Sequence, residues 1–227
     1  MFKKLVVLTL MLVSLTALAY PAAAKTVLYF TGKASKTTAI DVSGKNNDGK
    51  LNNVSVTKGG LYSFGKLGRT SYISVPVSRS INPDRENYAY SVKVRFPDGY
   101  EFSHDVSLVR RGAAKLTGPY YKMELVWNKD SGNTSLVCAM RDKGGTTGYV
   151  SRSAAGIDDG EWHSLSCRKT SNTVSVTRDG STNSQNVRVG NLSSDRNLYF
   201  GVENNTIKGQ FTERFKGQMD DIKITKG

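Results

Sequence analysis

The chain has 227 residues, 38% of them hydrophobic, and its 32 lysine and arginine residues outnumber its 19 aspartate and glutamate residues to give a formal net charge of +13. After residue 24, no apolar run approaches the roughly 20 residues that a membrane-spanning helix needs, which argues against an integral membrane protein. The charge favours polyanionic partners such as acidic polysaccharides or other anionic polymers, although solubility alone also accounts for it.

The N-terminus has the pattern of a secretory signal peptide. Lys3 and Lys4 precede an apolar run over residues 5–19, and small residues follow up to Ala24. Cleavage fits after Ala19 or after Ala24, and we favour Ala24. The sequence therefore predicts a leader at 1–24 and an extracellular, secreted domain at 25–227, whose formal net charge is +11 once Lys3 and Lys4 are removed.

Period-2 alternation dominates the rest of the chain. Apolar residues alternate with polar ones over 90–96, 121–127, 173–178 and 219–225, and turn pairs such as Asp159-Gly160 and Asp179-Gly180 separate such runs. This pattern is typical of half-buried antiparallel strands joined by tight turns. No linker-like segment or internal repeat interrupts residues 25–227. We therefore expect a single all-β domain built as an antiparallel sandwich or barrel.

Three segments resemble one family when they are taken in order. They are Asp-Val-Ser-Gly-Lys-Asn-Asn-Asp-Gly-Lys-Leu at 41–51, Asp-Gly-Glu-Trp-His-Ser-Leu at 159–165 with Asp-Gly at 179–180, and Phe-Lys-Gly-Gln-Met-Asp-Asp-Ile-Lys-Ile at 215–224. Together they resemble bacterial secreted members of the laminin G-like family, within the concanavalin A-like lectin and glucanase superfamily. The resemblance implies an antiparallel β-sandwich of the jelly-roll type. It implies no ligand, because lectins, adhesion modules and glycosidases share this fold.

Two cysteines, Cys138 and Cys167, remain after the leader. Export into an oxidising compartment predicts that they form a disulfide, which would stabilise the fold by roughly 3–4 kcal/mol. Such a bridge is feasible if their strands are neighbours with Cα atoms within about 7 Å. The alternative is a pair of buried thiols.

Catalytic patterns are missing from the sequence. The hydrolases of this superfamily carry closely spaced carboxylates on one strand, whereas no two of the six glutamates lie within five residues of each other. The histidines, His104 and His163, stand in no known catalytic motif, and no nucleic-acid-binding motif is present. We expect Trp162 to pack in the core and His163 to lie on a strand surface. The sequence thus predicts a protein without catalytic residues, and a glycoside hydrolase is the least favoured functional hypothesis.

Candidate binding residues fall into two groups. Aromatic side chains beside turns can stack on sugar rings, and paired cations can meet an anionic ligand; packing in the core or at its rim is the alternative for each aromatic. The candidates are Tyr120, Trp127, Tyr149, Arg110, Arg111, Arg168 and Lys169. The function that follows is a carbohydrate-binding module for acidic or cell-surface glycans, and the alternative is a structural, adhesive or protein-interaction domain without a glycan ligand.

The family resemblance also implies a structural calcium ion near the last strand. The matching position is Asp220, which alternation places on the side of Ile222 and Ile224, and Asp41 is a second candidate ligand. Calcium needs about six to eight oxygen ligands, many of them carbonyls. The alternative is that Asp220 accepts hydrogen bonds from turn amides.

Overall fold

The computed structural model describes residues 23–65, 69–112, 118–205 and 210–227, so most of the predicted leader lies outside it and the boundary at Ala24 stays a prediction. The described residues form nineteen β-strands and no helix. The strands are β1 (Lys25–Phe30), β2 (Ala34–Ser35), β3 (Thr38–Ala39), β4 (Gly49–Asn52), β5 (Ser55–Val56), β6 (Tyr62–Phe64), β7 (Tyr72–Val75), β8 (Tyr88–Arg95), β9 (Val106–Arg111), β10 (Tyr120–Trp127), β11 (Thr134–Arg141), β12 (Thr147–Ser153), β13 (His163–Lys169), β14 (Thr173–Arg178), β15 (Ser181–Asn186), β16 (Leu198–Phe200), β17 (Glu203–Asn205), β18 (Gln210–Thr212) and β19 (Gly217–Lys226).

Two large antiparallel sheets make up the fold. The eight-stranded sheet runs β15-β14-β13-β8-β19-β6-β5, with β1 also paired to β19, and the nine-stranded sheet runs β12-β11-β10-β9-β16-β7-β4-β3-β2. A separate hairpin is formed by β17 and β18. The expected all-β antiparallel sandwich is confirmed. No helix among the described residues is long and apolar enough to cross a membrane.

The core lies between the two sheets, where alternation on facing strands places the apolar side chains. Tyr90 and Val92 of β8 are at most 2% exposed, and Tyr121, Met123 and Leu125 of β10 are fully buried. All five belong to one hydrophobic cluster that includes residues of both sheets. Full burial of an apolar side chain of this size contributes about 1.5–3 kcal/mol. The strand patterns read from the sequence are therefore those that build the core.

A disulfide joins Cys138 to Cys167, as predicted. Cys138 lies on β11 of the nine-stranded sheet and Cys167 on β13 of the eight-stranded sheet, with 5.7 Å between their Cα atoms. Both side chains point into the core and are fully buried. The two strands are neighbours across the core and not within one sheet, so the bond ties the two facing sheets together.

A β-bulge changes the orientation of Asp220. The pairing of β19 with β8 shifts between Asp220 and Lys223, and Asp221 has a left-handed backbone with φ of 46°. The bulge adds a residue to one strand, so the alternation on either side of it is out of phase. As a result Met219, not Asp220, shares the buried side with Ile222. The predicted inward orientation of Asp220 was wrong for this reason.

The positions of Trp162 and His163 are the reverse of those expected. His163 starts β13 and is 7% exposed, with Nδ1 2.8 Å from Asp179 Oδ2 and Nε2 3.1 Å from Asp159 Oδ1. Trp162 precedes the strand and is partly exposed, with the Arg95 guanidinium 5.1 Å from its ring centroid. The histidine is buried because alternation places it on the same side as Leu165.

Candidate functional site

The register of the nine-stranded sheet places one side chain from each of five strands in a row on its outer face. Tyr149 pairs with Ala139, Ala139 with Lys122, Lys122 with Arg110, and Arg110 with Tyr199. For each residue of the row, at least one of its two neighbours in sequence belongs to the hydrophobic core. Because neighbouring side chains on a strand point to opposite faces, the row faces away from the core. The row therefore carries a tyrosine at each end and two cations at its centre.

Three glutamates from distant parts of the chain surround Arg110. Its Nη1 lies 3.2 Å from Glu124 Oε2 and 3.2 Å from Glu213 Oε2, and its Nη2 pairs with Glu203 Oε1. Lys122 pairs with the second oxygen of Glu124. The Arg110 and Glu124 side chains are both only 3% exposed. We call these five residues the Arg110 cluster.

The Arg110 cluster holds a proton near neutral pH. Burial and the neighbouring charge of Glu124 raise the pKa of Glu213 to about 8, against the opposing effect of Arg110. Burial also acts to raise the pKa of Glu203, but hydrogen bonds from Glu213 and Thr212 and the charge of Arg110 bring it below its usual value. With Glu213 neutral, the two remaining carboxylates balance Arg110 and Lys122.

Two acids of the Arg110 cluster, Glu203 and Glu213, hydrogen-bond to each other. Glycosidases hold their two catalytic carboxyl groups about 5–10 Å apart with the scissile bond between them. In this cluster Arg110 lies between the acids, with Nη1 3.2 Å from both Glu124 Oε2 and Glu213 Oε2. The spacing of the three glutamates in the sequence did not predict that they lie together, because they come from β10, β17 and the segment after β18.

Two aromatic groups flank the Arg110 cluster. On one side Tyr149 is 52% exposed, while Tyr120 is buried and packs with Val137 and Ala139 on the same outer face. The Tyr149 backbone N donates to Gln185 Oε1 at 2.9 Å, which fixes the strand that carries the ring. This exposed tyrosine is the side chain on this face that is best placed to stack on a ligand.

On the other side, the β17–β18 hairpin folds against the sheet. Phe211 of the hairpin stacks on Tyr72, with 4.5 Å between ring centroids and 23° between ring planes, and Tyr199 packs against both rings. Asn204 of the hairpin donates to the Tyr199 hydroxyl at 2.8 Å. All three rings remain partly exposed. No pattern in the sequence indicates this group, because it depends on contacts between β7, β16 and the hairpin.

The basic candidates from the sequence do not form a shared exposed face. Arg111 is fully buried and donates to the carbonyls of Ile81, Ser194 and Arg196. Arg110 is buried in its cluster, and Lys169 is 1% exposed. Only Arg168 is exposed, on the outer face of the eight-stranded sheet and thus on the opposite side of the sandwich from Tyr149. The interpretation of these four cations as one binding surface is corrected, since three of them are held inside by hydrogen bonds.

The remaining aromatic candidate, Trp127, lies at the end of β10 and is partly buried. Its backbone N donates to Asp105 Oδ1 at 2.9 Å. Alternation along β10 places its side chain on the same side as the buried Leu125, away from Tyr120 and Tyr149. The fold thus brings Tyr120, Tyr149 and Arg110 together and separates Trp127 and Arg168 from them.

The two candidate calcium ligands, Asp41 and Asp220, have different surroundings. Both Asp41 carboxylate oxygens accept hydrogen bonds, from the backbone N of Tyr29, Ser43 and Asn47 and from the Ser43 hydroxyl, at 2.8–2.9 Å. Asp220 lies beside the β-bulge of β19 described above, and its side chain is partly exposed. No group of three His, Cys, Asp or Glu side chains in the described part of the chain is placed to hold a metal. Asp41 performs the amide-capping role that the sequence offered as the alternative for Asp220.

The outer face of the eight-stranded sheet carries a concave region with a volume of 340 Å³. Its charged groups are already matched: Lys93 Nζ lies 2.6 Å from Asp221 Oδ2, the Tyr29 hydroxyl donates to Asp221 Oδ1 at 2.8 Å, and Lys223 Nζ lies 5.5 Å from the Tyr29 ring centroid. The other lining side chains are mostly serine and threonine. The aromatic ring that lines this region, Tyr29, is already in contact with Lys223. This region is therefore a weaker candidate for sugar stacking than the outer face of the nine-stranded sheet, which carries Tyr149.

Comparisons with known proteins agree with this fold. Residues 130–227 match the model of the Laminin G domain family. No curated protein sequence matches the chain. Three solved structures illustrate the structural likeness, each below 25% sequence identity, so that they establish the fold alone.

The first is the binding domain of Paraclostridial Mosquitocidal Protein 1, at 18% identity and a TM-score of 0.65, with 88% of this chain and 48% of that chain covered. The second is Domain 4 of AbnA, a GH43 extracellular arabinanase from Geobacillus stearothermophilus, at 16% identity and a TM-score of 0.59, with 90% and 93% covered. The third is the mouse laminin alpha1 chain, domains LG4-5, at 17% identity and a TM-score of 0.52, with 73% and 42% covered. This chain therefore spans about half of the toxin binding domain and of the laminin pair, but nearly all of the arabinanase domain. Residues 130–227 are thus similar to the Laminin G domain family, and the solved structures share the antiparallel β-sandwich fold of this chain.

Proposed function

We propose that this protein is a secreted, non-catalytic binding module that recognises carbohydrate through the outer face of its nine-stranded sheet. The observation that carries the proposal is the 52% exposed Tyr149 on this outer face, next to the exposed Gln185, whose Oε1 accepts from the Tyr149 backbone N. An exposed aromatic ring beside an amide side chain suits a sugar, because the ring packs on the apolar face and the amide bonds to hydroxyls.

Two further observations support a binding role. The domain of the arabinanase, which this chain matches over 90% of its length, was solved in complex with arabinotriose. In the Arg110 cluster Glu213 is protonated, and the carboxylates of Glu124 and Glu203 pair with Arg110 and Lys122, so no carboxylate of the cluster is free of a cation to act as a base. Secretion rests on the leader pattern at 1–24 alone.

The alternative is an adhesive or protein-interaction domain without a glycan ligand. The outer face of the eight-stranded sheet, with serine and threonine side chains around Lys93 and with the exposed Arg168, is where such a partner would dock. The two functions differ in the face that they use, so substitutions on opposite faces separate them.

The test is binding of residues 25–227 to immobilised neutral and acidic polysaccharides, followed by the substitution Tyr149→Ala. We expect Tyr149→Ala to weaken retention tenfold or more with no change in unfolding, because an exposed ring contributes little to stability. Val42→Ala, which truncates a 42% exposed residue elsewhere, is the matched control. A protein that retains no polysaccharide at low salt, yet crosslinks to a protein partner through Arg168, would instead establish the alternative.

A further inference from the structure

A cleft of 430 Å³ lies at the end of the sandwich where β11, β13 and β15 finish and β8 begins. Four cations and one carboxylate line it: Arg85, Lys143, Lys169, Arg188 and Asp142. We call it the loop cleft. Neither the family match nor the related structures described above assign it a role.

The floor of the loop cleft is held by Asp142. Its Oδ1 accepts from the backbone N of Thr146 at 2.9 Å, and its Oδ2 accepts from the backbone N of Gly190 at 2.7 Å. A Cβ atom at position 190 would lie 2.9 Å from that same oxygen, so glycine permits the close approach. The Lys143 backbone N also donates to the Asn191 carbonyl at 3.0 Å. The two loops are therefore fixed relative to each other, and the Asp142 carboxylate is already engaged with amides.

Lys169 places a buried cation against the loop cleft. Its Nζ donates to the carbonyls of Arg85 at 3.1 Å and Glu86 at 3.0 Å, and no carboxylate among the described residues hydrogen-bonds to it. Burial lowers the pKa of Lys169, which reflects the cost of holding an ammonium group away from water. A lysine ammonium has three protons, so one remains after the two carbonyls are satisfied. An anion in the loop cleft would offset this cost.

The three other cations of the loop cleft are exposed and unmatched. Within the described parts of the chain, the side chains of Arg85, Lys143 and Arg188 make no hydrogen bond or ion pair. Elsewhere on the surface, comparable cations are paired: Lys93 with Asp221, and Lys226 with Asp84 and Glu86. Unpaired cations that converge on a rigid concave surface raise the local concentration of anions.

We propose that the loop cleft binds the anionic substituent, a sulfate or carboxylate group, of an acidic polysaccharide. The polysaccharide part of this inference rests on the proposed function. Lys143 lies in the turn between β11 and β12, and Tyr149 is the third residue of β12, so one glycan chain can reach both the loop cleft and the exposed ring. Arginine matches the two oxygens of either group with a pair of parallel hydrogen bonds, and Lys143 and Lys169 add charge.

The first experiment measures affinity for dextran sulfate, polygalacturonate and uncharged dextran. The cleft variant carries Arg85→Gln, Lys143→Gln and Arg188→Gln together. The control variant carries Lys45→Gln, Lys58→Gln and Lys129→Gln, which removes the same charge from three exposed positions outside the loop cleft. We expect the cleft variant to bind dextran sulfate or polygalacturonate at least tenfold more weakly than the wild type and the control variant to bind within threefold. Preference for one of the two polymers separates sulfate from carboxylate recognition. Equal losses in both variants would show diffuse charge attraction and overturn the inference.

The second experiment keeps the site testable if no polysaccharide binds. Sodium sulfate is titrated against sodium chloride at matched ionic strength, and the backbone amide resonances of Gly144, Gly190 and Asn191 are followed by NMR. Saturable sulfate-specific shifts at these amides, absent in the cleft variant, would support the anion site even where the proposed function fails. Uniform or absent shifts, together with unchanged polysaccharide binding by the cleft variant, would overturn the inference and leave the proposed function standing.

Discussion

Arg110 Nη1 donates to Glu213 Oε2 at 3.2 Å and so joins β9 to the segment after β18, across 103 positions of sequence. Glu124 accepts from the same nitrogen at the same distance. The contact is largely closed to water, since the Arg110 side chain is 3% exposed and that of Glu213 is 22% exposed. Arg110 therefore holds together the buried ion pairs on the outer face of the nine-stranded sheet.

Replacing Arg110 with methionine should strongly destabilise the protein. The substitution keeps much of the side-chain volume but leaves Glu124, Glu203 and Glu213 close together without their shared cation. Removing one partner from a buried ion pair costs about 3–5 kcal/mol. Urea unfolding followed by fluorescence measures the loss. Arg168→Met, at an exposed position, is the control and should change the free energy of unfolding by less than about 0.5 kcal/mol. Equal effects from the two variants would contradict a central role for Arg110.

Glu213 should make the protein less stable as the pH rises. Its pKa is about 8 in the folded protein and near the ordinary glutamate value when unfolded. Between those values the folded state binds more protons than the unfolded state, so the free energy of unfolding decreases with rising pH, by up to about 1.4 kcal/mol per pH unit for the one extra proton. The stabilisation is complete below about pH 4.5 and is lost by about pH 8. Glu203, whose pKa is lowered, acts in the opposite sense and only at acidic pH.

The substitution Glu213→Gln isolates this effect. Glutamine resembles the protonated acid, because it accepts from Arg110 and donates to Glu203. Thermal unfolding at pH 5, 6.5 and 8 should show a smaller decrease in Tm for the variant than for the wild type, with the variant at least as stable at pH 8. Glu101→Gln, at an exposed position, should leave the wild-type pH dependence unchanged. A variant that is destabilised equally at all three pH values would show that Glu213 is needed as a carboxylate.

The disulfide should contribute substantially to stability. It closes a sequence separation of 29 residues, and the chain-entropy model then gives about 3–4 kcal/mol. The double substitution Cys138→Ala and Cys167→Ala should lower the free energy of unfolding by at least that much, since the alanines also leave unfilled volume between the sheets. Guanidinium unfolding of the variant and the wild type, with and without reductant, measures the two contributions. If reductant destabilises the variant as much as the wild type, the effect does not come from this bond.

The strand pattern, the sandwich and the cysteine pairing follow from the sequence because each depends on local alternation or on a small number of candidates. Tyr90, Val92, Tyr121 and Met123 are buried as their alternation predicts. A residue that interrupts the alternation is not visible in such a pattern, and for that reason the bulge at Asp221 reversed the expected orientation of Asp220.

The site was harder to predict, because it consists of contacts between distant segments. Tyr120 and Tyr149 were found from their position beside turns, but the partners of Arg110 come from β10, β17 and the segment after β18. Two adjacent cations in the sequence, Arg110 and Arg111, suggested a shared basic binding surface. On a strand, however, the side chains of two neighbouring residues point to opposite faces. Arg110 and Arg111 accordingly bond to glutamates on the outer face and to carbonyls of loops, respectively.

Asp41 should stabilise the N-terminal loop through hydrogen bonds, without calcium. Its carboxylate is 7% exposed and accepts from three backbone amides and one hydroxyl. Asp41→Ala leaves these donors without partners and should cost about 2–4 kcal/mol, at the upper end of the usual range for a single substitution. Asp130→Ala, in an exposed turn, is the control and should change stability by less than about 0.5 kcal/mol. Differential scanning calorimetry with added calcium or with EDTA separates the two explanations. A wild-type Tm that falls in EDTA, and that no longer does so in Asp41→Ala, would show that the carboxylate holds calcium and that the hydrogen-bond account of Asp41 is wrong.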